Sequence, residues 1–108
     1  MLFRSAVAFI NGPVPESFER RVTATAREFE RDLRQAWPAV QGNAEALRFS
    51  LQDGAQSLVI DIEPAGVQRL GLFELPQLIV RYRFGPGAEA MRRALLVRLD
   101  RAMQKGGG

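Results

Sequence analysis

Two carboxylates lie two positions apart in a segment that alternates between apolar and polar residues. Asp61 and Glu63 belong to the stretch "SLVIDIE", residues 57–63. On a β-strand, side chains two positions apart share a face and lie about 7 Å from each other. A carboxylate pair of this kind is typical of hydrolytic sites and of sites for hard metal ions. No third acid joins the pair by spacing, and we expect Arg48 to neutralise Asp61 across a hairpin, so a hydrolase-like site is the third of three hypotheses.

Two residue types that support much of enzyme chemistry are missing from the sequence. The chain has 108 residues and contains neither histidine nor cysteine. It therefore lacks the commonest general base, the commonest nitrogen and sulfur metal ligands, and any disulfide. We expect no cofactor, no metal bound through Cys or His, and a protein that is not an enzyme.

Arginines and aromatic residues alternate in "QLIVRYRF", residues 77–84. Alternation assigns one face to Leu78, Val80, Tyr82 and Phe84, and the other face to Ile79, Arg81 and Arg83. Platforms that stack nucleic-acid bases need rings and cations on the same exposed face. The pattern therefore predicts a core strand backed by a solvated arginine face.

The C-terminal third of the chain is basic. Residues 77–108 contain seven basic and two acidic side chains, whereas residues 1–76 carry a net charge of −2. Such a charge can neutralise phosphates, so an accessory nucleic-acid-binding protein is the second hypothesis. Its candidate polyanion-binding residues are Arg81, Arg83, Arg92, Arg93, Arg98, Arg101 and Lys105.

The first helix is predicted over residues 15–37. Apolar residues recur there at helical spacing, namely Phe18, Val22, Thr25, Phe29, Leu33 and Ala36. Pro15 suits a first helical position, and Pro38 predicts an end near Trp37. Two favourable i,i+4 ion pairs are expected on this helix, Glu16–Arg20 and Glu30–Arg34.

A β-hairpin is predicted from residues 47–52 and 57–63, joined at Asp53-Gly54. If Gln52 faces Ala55, four large apolar residues share one face, with Phe49 opposite Leu58 and Leu47 opposite Ile60. Glu63-Pro64-Ala65-Gly66 then indicates a turn before a weaker strand over 67–74. Leu75-Pro76-Gln77 leads from that strand into the strand over 78–84.

A second amphipathic helix is predicted over about 88–105 after Gly85-Pro86-Gly87. Its apolar arc contains Met91, Leu95, Leu99, Ala102 and Met103, with Arg92 inside the arc and obliged to pair or to extend to solvent. Residues 2–10 fit both helical and strand spacing and favour an edge strand slightly. The predicted class is α+β, with an antiparallel β-meander of three to four strands packed against two amphipathic helices, in the order β?-α-β-β-β-β-α.

The leading functional hypothesis is a small non-enzymatic protein-interaction or assembly module, with a homodimer as one form of it. Strands 67–84 are rich in apolar residues, and Leu70 and Leu72 alternate out of phase with Phe73 and Leu75, so two helices would not cover both sets. The candidate interface residues are Leu70, Leu72, Ile79, Arg81 and Arg83. We favour a protein partner or a second copy over nucleic acid.

Composition and run length bear on location and domain organisation. No apolar run reaches the length of a membrane span, so we expect no membrane association and a cytoplasmic protein. The excess of arginine over lysine is typical of GC-rich bacterial genomes. Residues 1–105 are expected to form a single α+β domain, followed by a flexible glycine tail over 106–108.

Overall fold

The computed structural model describes residues 2–3 and 12–106 of the chain. It consists of β1 (Leu2–Phe3), β2 (Ser17–Thr23), α1 (Ala26–Ala36), β3 (Gln41–Asn43), β4 (Arg48–Asp53), β5 (Gln56–Leu70), β6 (Phe73–Phe84) and α2 (Glu89–Gly106). The strands form one antiparallel sheet in the order β1-β2-β6-β5-β4-β3. The predicted α+β class, an antiparallel sheet with two helices, is confirmed. An N-terminal edge strand is present at Leu2–Phe3, while residues 4–10 of that predicted element lie outside the described residues.

The predicted helix over 15–37 is wrong in its first half. Residues 17–23 form β2, which pairs with β6, and the helix begins only at Ala26. Phe18 and Val22 satisfy helical and alternating spacing equally well. They are four residues apart, and residues at this separation share one face both on a helix and on a strand. The alternating pattern was hidden by Arg20, which is buried between them. The predicted Glu16–Arg20 pair is therefore replaced by a pair between Arg20 and Asp100.

Local chemistry in the second half of that segment agrees with the prediction. The helix ends at Ala36, directly before Trp37 and Pro38, and Glu30 pairs with Arg34 at 3.0 Å. Its start is marked by a capping box, in which the Thr25 hydroxyl accepts from the Glu28 N–H while the Glu28 carboxylate accepts from the Thr25 N–H. This Thr-x-x-Glu signature is visible in the sequence and separates strand from helix.

The β4–β5 hairpin forms with a register different from the predicted one. Asp53 pairs with Gln56, so the central turn residues are Gly54 and Ala55, and Phe49 lies opposite Ile60. A turn with glycine at its first central position is one of the two favoured hairpin turns. The shift moves partners by two positions, so every side chain keeps its predicted face. Leu47 lies before β4, in a turn, and is 38% exposed instead of facing Ile60.

Strands β5 and β6 are longer than predicted and are joined elsewhere. The predicted turn at 63–66 lies inside β5, where a register shift between Pro64 and Val67 marks a bulge. The predicted link at 75–77 lies inside β6. The chain instead turns at Gly71 and Leu72, where Gly71 adopts a φ of +60° that glycine accommodates readily.

The core lies between one face of the sheet and both helices. The strands contribute the predicted inward set of β6 together with Val22, Phe49, Leu51, Leu58, Ile60 and Ile62. The helices contribute Phe29, Leu33, Leu95, Leu96, Leu99 and Met103. Met91 was expected in this core but is exposed, and Leu96 takes part in it instead. Within the described part of the chain, neither helix is long and apolar enough to cross a membrane.

Candidate functional site

The carboxylates of Asp61 and Glu63 lie on the face of the sheet opposite the helices, which we call the open face. Arg48 donates to Asp61 from Nε at 2.5 Å, and Arg83 approaches the same carboxylate at 3.3 Å. The hydrogen bond from Arg48 is the main cause that holds the pKa of Asp61 below its usual range, with the charges of both arginines adding to it. A carboxylate that is ionised and already paired is a poor general acid or base near neutral pH.

Glu63 is engaged in the same way by a different arginine. Arg81 donates to Glu63 from Nη1 at 2.7 Å and to Glu19 from Nε at 3.2 Å. No group of three or more acidic side chains suited to a metal ion occurs among the described residues. The open face therefore carries two ion-pair rows across its strands, Glu19–Arg81–Glu63 and Arg83–Asp61–Arg48, and their charges cancel.

The candidate polyanion-binding residues do not form one surface. Arg81 and Arg83 lie on the open face, whereas the remaining candidates lie on α2, which packs against the opposite face of the sheet. Arg92 donates to the carbonyls of Val14 and Gly87, at 2.9 and 3.0 Å. The prediction that Arg92, inside the apolar arc, must pair or extend to solvent is confirmed by these two hydrogen bonds.

The other cations of α2 differ in how far they are occupied. Arg93 pairs with Glu89 and also donates to the Gly12 carbonyl. The guanidinium of Arg98 lies 4.5 Å from the centre of the Trp37 ring and 3.6 Å from Asp53. Arg101 is exposed, and the side chain of Lys105 lies outside the described part of the molecule. Several cations of this third are thus paired with the protein's own acids or hydrogen-bonded to its carbonyls.

Of the candidate interface residues, Leu70 and Leu72 lie on a protruding hairpin and Ile79 lies just beyond its base. Arg81 and Arg83 lie farther along β6, on the open face. Strand β4 pairs with β5 only as far as Asp61, and β2 pairs with β6 only as far as Gln77. Residues 64–76, which we call the arm, therefore extend roughly 20 Å beyond the sheet, and among the described residues no third strand pairs with them. Leu72 at its tip is fully exposed, Phe73 is 71% exposed and Leu70 is 51% exposed.

The arm has one mainly apolar face. Leu70 pairs directly with Phe73 and Gln68 with Leu75, and residues paired in this way lie on the same face. Following β6 towards the sheet, this face continues into the open face at Ile79. The predicted out-of-phase arrangement of Leu70 and Phe73 is wrong, because the two-residue turn at 71–72 brings them side by side.

The opposite face of the arm is more polar. Val67 pairs with Pro76, and Arg69 pairs with Glu74, whose side chains form an exposed ion pair at 3.3 Å. Val67 is 57% exposed. Phe73 and Val67 are exposed apolar residues that were not among the predicted interface residues. The sequence signal that locates them is Gly71, the first central residue of a tight turn.

Each edge of the arm carries a proline at its base. The N–H of Ile62 points to the β4 side, where it donates to the Leu47 carbonyl. Two residues later the same edge reaches Pro64, which has no N–H to offer. On the other side, β2 stops at the residue opposite Gln77, one position before Pro76. The prolines explain why both neighbouring strands end where the arm begins.

Similarity to proteins of known function would be an independent guide to this chain. No family model, no curated protein and no solved structure matches it at a significant level. The arm, the open face and the arginines of α2 are therefore the features from which function is inferred.

Proposed function

We propose that this protein is a non-enzymatic protein-interaction module and that the apolar face of the arm is its contact surface. The observation that carries the proposal is the exposure of Leu70, Leu72 and Phe73 at the end of a two-stranded projection. Large apolar side chains that cluster on a projection add little to the stability of the isolated fold, because they remain in water.

The size of the exposed patch supports a binding role. A fully exposed large apolar side chain presents roughly 100–200 Å², so Leu70, Leu72 and Phe73 together expose on the order of 300 Å². Patches of this size on monomers are often functional. The other exposed large apolar residues among positions 12–104 are Val67 on the opposite face of the arm, Leu47 in a loop before β4 and Met91 on α2.

The two alternative functions have weaker support. Asp61 and Glu63 are each held by arginines, which leaves no carboxylate of this pair poised for proton transfer. Arg81 and Arg83 already form ion pairs with these two acids. Arg98 lies between Trp37 and Asp53. A nucleic-acid role would rest mainly on Arg101 and on the overall charge of α2.

The experiment is a pull-down from native lysate, with and without nuclease, using three variants of the tagged full chain. Leu72→Ser/Phe73→Ser removes the arm surface, Arg98→Glu/Arg101→Glu reverses charge on α2, and Met91→Ser is the control for an exposed apolar residue elsewhere. We expect partners, including untagged copies of the chain, to be retained by the wild type and the control after nuclease treatment and lost by the arm variant. Partners that disappear with nuclease or with the charge reversal would instead support nucleic-acid binding.

A further inference from the structure

The mode of binding by the arm is constrained by its edges. A strand can be added only along an edge that offers a continuous row of N–H and C=O groups. Pro64 interrupts one edge of the arm and Pro76 interrupts the other, both at the junction with the sheet. A partner is therefore expected to meet the side chains on a face of the arm and not to extend the sheet.

The charge distribution selects the kind of partner surface. The arm contains two charged residues, Arg69 and Glu74, which pair with each other on the face opposite Leu70 and Phe73. The apolar face thus carries no net charge and offers nothing to attract an acidic or basic partner. A surface that buries it must also be apolar and uncharged.

Within the described part of this chain, the surface that meets this description is the apolar face of the arm itself. We infer that two copies of the chain associate through their arms, apolar face against apolar face, about a two-fold axis; this rests on the proposed function and names its partner. Identical patches are self-complementary under two-fold symmetry, which is the commonest arrangement of soluble oligomers. Leu70 and Phe73 of each copy then pack between the two arms, at the roughly 10 Å spacing of stacked sheets.

The contact area implies a weak dimer. Leu70, Leu72 and Phe73 expose on the order of 300 Å² in each copy, so the contact buries about 600–800 Å² in total when the neighbouring atoms are included. Stable complexes usually bury about 1,200–2,000 Å². We therefore expect association that depends on concentration, with a dissociation constant in the micromolar range or weaker.

The first test is sedimentation velocity of the purified full chain from low to high micromolar concentration. The sedimentation coefficient is expected to rise with concentration for the wild type. Phe73→Ser is expected to raise the dissociation constant by about tenfold or more. The matched control is Val67→Ser, which removes an exposed apolar residue from the opposite face and is expected to change the constant by less than about threefold.

The second test uses the absence of cysteine from the chain. Gln68→Cys places a single thiol on the apolar face, and Arg69→Cys places it one residue away on the opposite face. A bis-maleimide that spans roughly 10 Å, the spacing of stacked sheets, is expected to crosslink the first variant into dimers and to leave the second mainly monomeric. Far-UV circular dichroism of each variant checks that both fold.

The outcomes separate this inference from the proposed function. A wild type that stays monomeric at every concentration, yet retains a partner through the arm in the pull-down, would overturn the dimer and leave the proposed function standing. A dimer that persists in Phe73→Ser, or crosslinks equally through both thiols, would overturn the assignment of the interface to this face. A monomer that binds neutral lipid vesicles through Leu72, with no protein partner, would overturn both.

Discussion

The guanidinium of Arg20 on β2 donates two hydrogen bonds of 2.9 Å to the carboxylate of Asp100 on α2. The Arg20 side chain is fully buried, and its Cζ lies 5.4 Å from the centre of the Phe18 ring and 5.1 Å from that of Tyr82. Burial alone would lower the pKa of Arg20, but the hydrogen bond with Asp100 and the nearby Tyr82 outweigh it and the pKa is raised. The pair thus joins the second strand of the sheet to the last helix by a charged contact inside the core.

Loss of one partner of this pair should be far more harmful than loss of both. Asp100→Asn leaves a buried guanidinium without its counter-charge, and we expect it to reduce the free energy of unfolding by roughly 3–5 kcal/mol. The double variant Arg20→Met/Asp100→Leu removes both charges and should lie within about 1 kcal/mol of the wild type or above it. Urea unfolding followed by fluorescence of Trp37, the single tryptophan, measures both.

An exposed ion pair provides the control for that comparison. Glu74→Gln breaks the Arg69–Glu74 pair on the arm and should change the free energy of unfolding by less than about 1 kcal/mol. Equal losses in Asp100→Asn and Glu74→Gln would mean that burial of Arg20 has no energetic consequence.

Arg20 also shows where sequence patterns stop being informative. A strand with two apolar positions flanking an arginine does not alternate in hydrophobicity, and Phe18 and Val22 happen to lie one helical step apart. The partner that makes Arg20 acceptable in the core, Asp100, is 80 residues away in the chain. The spacing of neighbouring residues does not reveal a contact over this separation, so the local pattern predicted a helix where the structure has a strand.

Two glycines with positive φ should respond differently to alanine. At Gly42, φ is +102° and an added Cβ would lie 2.1 Å from the Arg48 carbonyl oxygen, whereas at Gly71, φ is +60° and nothing lies within 4 Å. Gly71→Ala should cost about 1–2 kcal/mol through backbone strain alone. Gly42→Ala should cost about 1–3 kcal/mol more, because β3 must move away from β4. Thermal unfolding of both variants checks the difference, and equal melting temperatures would contradict it.

The cap of α1 makes a measurable contribution to stability. Thr25→Ala removes the hydroxyl that accepts from the Glu28 N–H, at 3.1 Å, and should lower the free energy of unfolding by about 0.5–2 kcal/mol. Thr25→Ser keeps an acceptor in the same place and is expected to lose less than about 0.5 kcal/mol. If serine were as harmful as alanine, the hydrogen bond would not be the cause.

Stability should fall in acid and stay level around neutrality. The pKa of Glu28 is lowered chiefly by the N–H of Thr25, that of Glu30 by the N–H of Ala44, and that of Asp61 by Arg48. A carboxyl whose pKa is lower in the folded state stabilises fully above its unfolded pKa of about 4, and this contribution is lost as the pH falls through the folded pKa. Without histidine, little should change between about pH 6 and 9.

Asp61→Asn isolates one part of this pH dependence. The variant should be less stable than the wild type at pH 7, where the ionised Asp61 holds Arg48 and Arg83. The difference should shrink as the pH falls through the lowered folded-state pKa of Asp61, because the wild type then loses the ionised carboxylate as well. Urea unfolding at a series of pH values tests this, and a gap that stays constant across the series would exclude the assigned role of Asp61.

The proposed contact surface was harder to anticipate than the class of fold. The inward face of β6 and the apolar content of 67–84 are visible in the sequence, and they suffice to suggest an uncovered surface. The arm itself depends on where the chain turns, and Pro64 and Pro76 resemble turn residues when only their neighbours are considered. In the structure the same prolines lie inside long strands, because each faces an edge on which no strand of residues 2–3 or 12–106 follows.

The placement of Pro64 and Pro76 also bears on what happens when the protein is concentrated. Fibrils grow when one exposed strand edge serves as the template for the next molecule. A hairpin ending in Leu70-Gly71-Leu72-Phe73 has the composition of such a template. One proline on each edge of the arm removes a backbone N–H donor from that edge. The arm can therefore keep its apolar side chains in water while resisting open-ended polymerisation.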